Sequence, residues 1–231
     1  MIMLATAPTM AEAAPSGDDL YKEITAGTPV YDDPELAAYI TSLGNDIVAH
    51  SEMAGEKFTF TVLDSPEINA FATRGNYVYI NRGLLNYIGN EAQLVSVLSH
   101  EIGHITRKHV NGQESQAVGA TALATVAAVL SGSAEVYEAG MAYSNSLIRS
   151  HGRNNELEAD EAGAEYMARM GYDPEEMLTM LSVMKDEEEL QKKRAVDRGA
   201  TKQTYHGIFS THPRSDSRLR AVVNKAESVK P

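Results

Sequence analysis

Leu36, Tyr39, Ile40, Leu43 and Ile47 recur three or four residues apart, the spacing of a single buried helical face. Asp33 and Pro34 stand just ahead of them as a cap residue and a first-turn proline, so a helix is predicted to begin there. The period then changes. KFTFTVLD, from Lys57 to Asp64, alternates and is rich in aromatic and β-branched residues, which predicts a strand; YVYIN, from Tyr77 to Asn81, predicts another after a turn at Arg74, Gly75 and Asn76. These two form a small sheet, with room for one more short strand. From Glu91 the pattern is helical again, and Leu94, Val95, Val97, Leu98, Ile102 and Ile105 make a face broad enough for a helix packed inside the domain. Further helices are predicted over 114–131, over 135–148, from Asn155 to Met170 with Gly171 as the stop, from Pro174 to about Arg194, and from Asp216 to Val229. The expected fold class is α+β: a mostly helical domain with a small β-sheet packed on the helix that starts near Glu91.

A chain of 231 residues can bury a real core, and the simplest division is one domain over residues 19–231. Residues 1–18 carry Pro8, Pro15 and Gly17 among small residues and are expected to be disordered or the remnant of a signal segment. Ala11, Ala13 and Ala14 suit a cleavage site of the A-x-A type, although no basic residue precedes Lys22, so export to a periplasm or secretion is expected, with a cytoplasmic location as the alternative. A net charge of −12 argues against nucleic acid as a partner. With no cysteine, there is neither a disulfide nor a thiol nucleophile, and any metal site must be built from His, Asp and Glu. The apolar-leaning stretch from Ala117 to Leu130 falls short of the roughly 20 residues of a transmembrane helix. It suits a flap, a docking surface compatible with peripheral membrane contact, or a plain packed helix. The sequence carries no signal for oligomeric state.

His100, Glu101, Ile102, Gly103 and His104 spell HExxH. Positions i and i+4 of a helix share a face, so both imidazoles can reach one ion while Glu101 points toward the reacting water. A catalytic zinc takes three protein ligands, so a third is needed downstream. A metzincin would have Gly and His where this chain has Arg107 and Val110, which excludes that class. His109 lies about 140° round a regular helix from His104 and should not share the metal; a helix-end or surface position is expected for it. In NELEADEAG, from Asn155 to Gly163, Glu156 and Asp160 face the same way. Glu156 can ligate, Asp160 can accept the outer N–H of a ligand histidine, and Glu158 and Glu161 point elsewhere.

HEIGH followed about fifty residues later by RNNELEAD resembles the HExxH plus ExxxD signature of the gluzincin zinc metallopeptidases. That family includes the CAAX prenyl endopeptidases, the mitochondrial inner-membrane stress protease and bacterial periplasmic quality-control proteases. INAFATRGNYVYINRGLL (Ile68–Leu85), GYDPEEM and STHPRSDSRL (Ser210–Leu219) are similar to further blocks of it, so the resemblance spans roughly residues 34–225. It implies one Zn2+ per chain held by His100, His104 and Glu156, with Glu101 as catalytic base and Asp160 behind a ligand. It also implies Asn69, His212 and Arg218 near the substrate or the developing oxyanion, although a histidine in a loop, as His212 is, would by chemistry alone usually be at the surface. The expected activity is zinc-dependent cleavage of polypeptides, chiefly unfolded or misassembled ones. The alternative is a latent or chaperone-like module in which His212 closes the zinc site. An exposed strand edge would let an extended peptide pair with the sheet, and Tyr77, Val78, Tyr79 and Ile80 are the candidates for that edge.

Overall fold

The computed structural model describes residues 15–110, 152–197, 212 and 216–229; the helices expected at 114–131 and 135–148 lie outside the described residues. Helix α1 (Gly17–Gly27) was not expected from the sequence. Ser16 caps it in a reciprocal box with Asp19, so ordered structure starts ahead of the boundary drawn at residue 18. It has no fully buried residue; Leu20, Tyr21 and Ile24 form a short apolar stripe that is only partly covered. Its hold on the body is aromatic and polar: Tyr21 stacks on Tyr77, with ring centroids 5.0 Å apart, and the Tyr77 hydroxyl donates to Asp18. Helix α2 (Pro34–Ala49) starts where Asp33 and Pro34 predict, the Asp33 carboxylate accepting from the Leu36 N–H at 3.0 Å.

The sheet contains β1 (Thr59–Leu63), β2 (Ala70–Thr73) and β3 (Tyr77–Asn81) in the order β1-β3-β2. Gly75 and Asn76 adopt φ of 82° and 62°, the left-handed backbone that a tight hairpin between β2 and β3 requires. Strand β3 pairs in parallel with β1 (Phe60↔Val78) and antiparallel with β2 (Phe71↔Tyr79). The sheet thus corrects the expected substrate edge. Both sides of β3 are already paired, and Val78, Tyr79 and Ile80 are at most 1% exposed, so Tyr77, Val78, Tyr79 and Ile80 offer no edge to an incoming peptide.

After the short α3 (Arg82–Leu85), Asn90 caps α4 (Glu91–Thr106) by accepting from the Gln93 N–H. Every residue from Gln93 to Ile105 is buried, as the breadth of its apolar face predicts. Helices α5 (Arg153–Arg169) and α6 (Glu176–Asp197) pack against it, α7 (Asp216–Val229) packs on α5, and Gly171, at φ 83°, ends α5. The approach of α5 to α4 is unusually close at two glycines. A Cβ at Gly103 would lie 2.8 Å from the Ala159 carbonyl oxygen, and one at Gly163 would lie 3.2 Å from the His100 backbone nitrogen. Two helix backbones in contact bring short carboxylate side chains on α5 within reach of the histidines on α4.

Candidate metal centre

Four buried side chains, His100 and His104 from α4, Glu156 from α5, and His212, bring one potential ligand atom each within 4.8 Å of all the others. Around a tetrahedral zinc with bonds of about 2.1 Å, neighbouring donors lie roughly 3.4 Å apart. Here His100 Nε2 and His104 Nε2 are 3.0 Å apart, His104 Nε2 and Glu156 Oε1 3.4 Å, and His100 Nε2 and Glu156 Oε2 3.6 Å. His212 Nδ1 lies 3.2 Å from both His100 Nε2 and the Glu156 carboxylate. These spacings and this nitrogen and oxygen donor set fit a single divalent ion. His212 is 2% exposed, so its position in a loop does not put it at the surface.

Behind the donors stand two further sets of side chains. Asp160 Oδ1 is 2.9 Å from His100 Nδ1, and the same carboxylate accepts two bonds from Arg218, from Nε at 2.7 Å and Nη2 at 2.8 Å. Arg218 Nη1 also reaches Glu156 at 2.7 Å, so one guanidinium grips both carboxylates of α5. On the other side, His104 Nδ1 is 3.0 Å from His109 Nδ1, and His109 Nε2 is 3.2 Å from Glu158. His109 is 6% exposed, which overturns the surface position expected for it. The helix does not continue to it: α4 ends at Thr106, and Lys108 adopts a left-handed φ of 61° that folds the chain back over the helix end.

Burial pushes the Glu101 carboxyl up in spite of His212 and His100, and neither of its oxygens accepts a hydrogen bond among the described residues. Its nearest ionic neighbour is His212 Nε2, 3.5 Å away. Burial works against ionised Glu156 too, but His212, His104 and His100 hold it well below the usual carboxylate range. For His212 the pull of burial is outweighed by Glu156 and Glu101, which raise it to about 9. Burial also opposes ionised Asp160, and the bonds from Arg218 and His100 keep it low. The cluster is buried and dense in titratable groups, with Glu156 and Asp160 held in their ionised forms.

Glu101, His100, His212 and Arg218 line one cleft together with Met177, Met180 and Met184 of α6. These methionines, spaced at helical intervals, were not singled out in the sequence because such a stripe usually means core. Asn69 is not among the residues lining this cleft; it precedes β2, is buried, and its backbone carbonyl accepts from the Asn81 N–H.

The family model for peptidase family M48 matches residues 34–226. The beta-barrel assembly-enhancing protease of Escherichia coli (strain K12) is 32% identical over 225 residues, covering 93% of this chain and 44% of that protein. A putative beta-barrel assembly-enhancing protease of Vibrio cholerae is 34% identical over 180 residues, covering 74% and 37%. A mitochondrial metalloendopeptidase of Schizosaccharomyces pombe is 27% identical over 212 residues, covering 88% and 58%. The chain spans less than half the length of these bacterial relatives. The chain belongs to peptidase family M48.

Proposed function

We propose, from membership of peptidase family M48 and the donor geometry above, that this chain is a zinc-dependent endopeptidase acting on unfolded or misassembled polypeptides. The observation that carries the reading is Glu101: a fully buried carboxyl group, with neither oxygen hydrogen-bonded among the described residues, beside the metal donors and lining a cleft. An unsatisfied polar group in such a place is costly unless it serves the reaction. Zinc held by His100, His104 and Glu156 supplies Lewis-acid polarisation of the scissile carbonyl and of the attacking water. Glu101 takes the proton from that water as its oxygen adds to the carbonyl carbon, then delivers it to the amine as the C–N bond breaks. Burial favours the protonated form of Glu101, the form from which it delivers the proton to the amine.

Arg218 acts through Asp160 and Glu156, whose carboxylates it grips, and His212 is the better-placed donor to a developing oxyanion. Among the described residues β2 pairs on one side only and packs against α4, so its other side is the edge along which an extended peptide would add. The names of the bacterial relatives, which speak of enhancing β-barrel assembly, support a role in protein quality control, and the A-x-A pattern at Ala11, Ala13 and Ala14 supports a periplasmic location. No helix among the described residues is long and apolar enough to cross a membrane. The second reading, a latent form, is favoured by His212 Nδ1 lying at ligand distance from its neighbours, where it would take the fourth position that catalysis needs open.

Elemental analysis and casein cleavage, on wild type and Glu101→Gln, test both readings. One zinc per chain in each protein, with cleavage falling by about 100-fold or more in the variant, is the expected result. Zinc in both with cleavage in neither points to the latent form, and His212→Ala should then release activity. Absence of metal from both would remove the proposal.

A further inference from the structure

A histidine that offers Nε2 to a metal must carry its proton on Nδ1, and whatever accepts from that N–H fixes the ring's tautomer and direction. For His100 the acceptor is the Asp160 carboxylate. For His104, a fully buried ring, the neighbour of Nδ1 is another imidazole nitrogen, His109 Nδ1, at 3.0 Å. Two such nitrogens attract only when one carries a proton and the other does not. His109 Nε2 in turn lies 3.2 Å from Glu158, which as a carboxylate can only accept. One arrangement therefore satisfies both contacts and leaves the His104 Nε2 lone pair for a metal. His104 Nδ1–H donates to His109 Nδ1, and His109 Nε2–H donates to Glu158.

We propose that His109 is a positioning residue of the metal centre, holding His104 in its ligating tautomer through a chain that ends on Glu158. The inference rests on His104 being a metal ligand and adds a group outside the HExxH and ExxxD motifs to the site. The backbone supports it. A regular helix would carry His109 about 140° away from His104. The contact exists because Lys108, a residue with no preference for left-handed φ, adopts 61° and turns the chain back. A histidine kept only to fill space at a helix end would need neither the reversal nor a carboxylate aligned with its far nitrogen. Each ligand histidine of α4 then has its own carboxylate, direct for His100 and through one intervening imidazole for His104.

The zinc dissociation constant of the full chain, measured by competition with a chromophoric chelator, tests this with three variants. His109→Asn keeps a polar atom where Nδ1 stood, facing His104; His109→Gln keeps one where Nε2 stood, facing Glu158; His109→Phe keeps ring volume alone. His109→Gln and His109→Phe are expected to weaken zinc about 10-fold, with His109→Asn within about 3-fold of wild type. Melting of the metal-free variants reads any general loss of stability separately. Asn and Gln variants of equal affinity, or Gln binding tighter than Asn, would overturn the proposal. Wild type that binds no zinc would instead overturn the metal-site reading on which it stands.

Discussion

His100 and His104 lie one turn apart on the same helix, yet what stands behind them is built on opposite principles. Behind His100 is Asp160, 1% exposed, clasped by Arg218, which also holds Glu156. Behind His104 is the His109 ring, which burial pushes below 6.5 toward its neutral form, and then Glu158, whose side chain is 58% exposed. One support is a buried network in which one guanidinium links two carboxylates; the other is an uncharged ring linked to a solvated acid. The first is rigid and severe to break, because loss of one partner strands charge in the interior. The second hands its only charge to water, and a fault there stays local.

The contrast should be widest at Arg218. Arg218→Met removes the guanidinium that Asp160 and Glu156 share, leaving Glu156 only its histidine neighbours, and the metal-free protein is expected to lose about 3–5 kcal/mol in urea denaturation. Bound zinc should narrow that deficit, since it supplies positive charge to Glu156. A loss below about 1 kcal/mol in EDTA would mean that the two supports do not differ as described. Next in size, Asp160→Asn should weaken zinc by about 10- to 100-fold in chelator competition, and by more than Glu158→Gln does. Equal losses at the two carboxylates would erase the distinction.

The smallest effect lies below the His104 end of α4, where the Tyr166 hydroxyl donates to Glu52 and sits 2.8 Å from Thr106 Oγ1. Burial opposes ionised Glu52, but the bond from Tyr166 and the nearby arginines hold its pKa below 4.5. A carboxylate depressed in the folded state adds stability above its unfolded pKa, and that stability disappears as pH falls through the folded value. Because the Glu52 side chain is 45% exposed, screening limits the gain to a few tenths of a kcal/mol. The urea-denaturation curves of wild type and Glu52→Gln should therefore differ slightly near pH 7 and converge in the acid limb. A gap that persists at low pH would trace to packing.

Much of this was legible where the determinants are local. Asp33 and Pro34 start α2 because capping is decided within one turn, and HExxH aligns two imidazoles because helical spacing alone does so. Strand order is not local: YVYIN reads as a strand whether it lies at an edge or in the middle. Its unbroken buried run at Val78, Tyr79 and Ile80 was the available sign of a central strand. Helix α1 carries a capping box and a short stripe of Leu20, Tyr21 and Ile24, legible signals that the Pro- and Gly-containing, small-residue composition around it masked. His109 lies just past the helix end, one of the two positions expected of it, but is buried there because the chain turns back at Lys108, and nothing in a lysine announces left-handed φ. His212 joins His100, 112 residues away in the chain, and Glu156, 56 residues away, an adjacency only the fold provides.

The contact of Gly103 with Ala159 bears on which ions the centre would admit. Since main chain meets main chain there, the span from the histidines to Glu156 is gauged by two helix axes and not by flexible side chains. Zinc, with bonds of about 2.0–2.2 Å, suits that span. Calcium, whose oxygen ligands stand about 2.3–2.6 Å away and number six or more, would have to pry the helices apart, so discrimination by ionic size is built into the backbone itself.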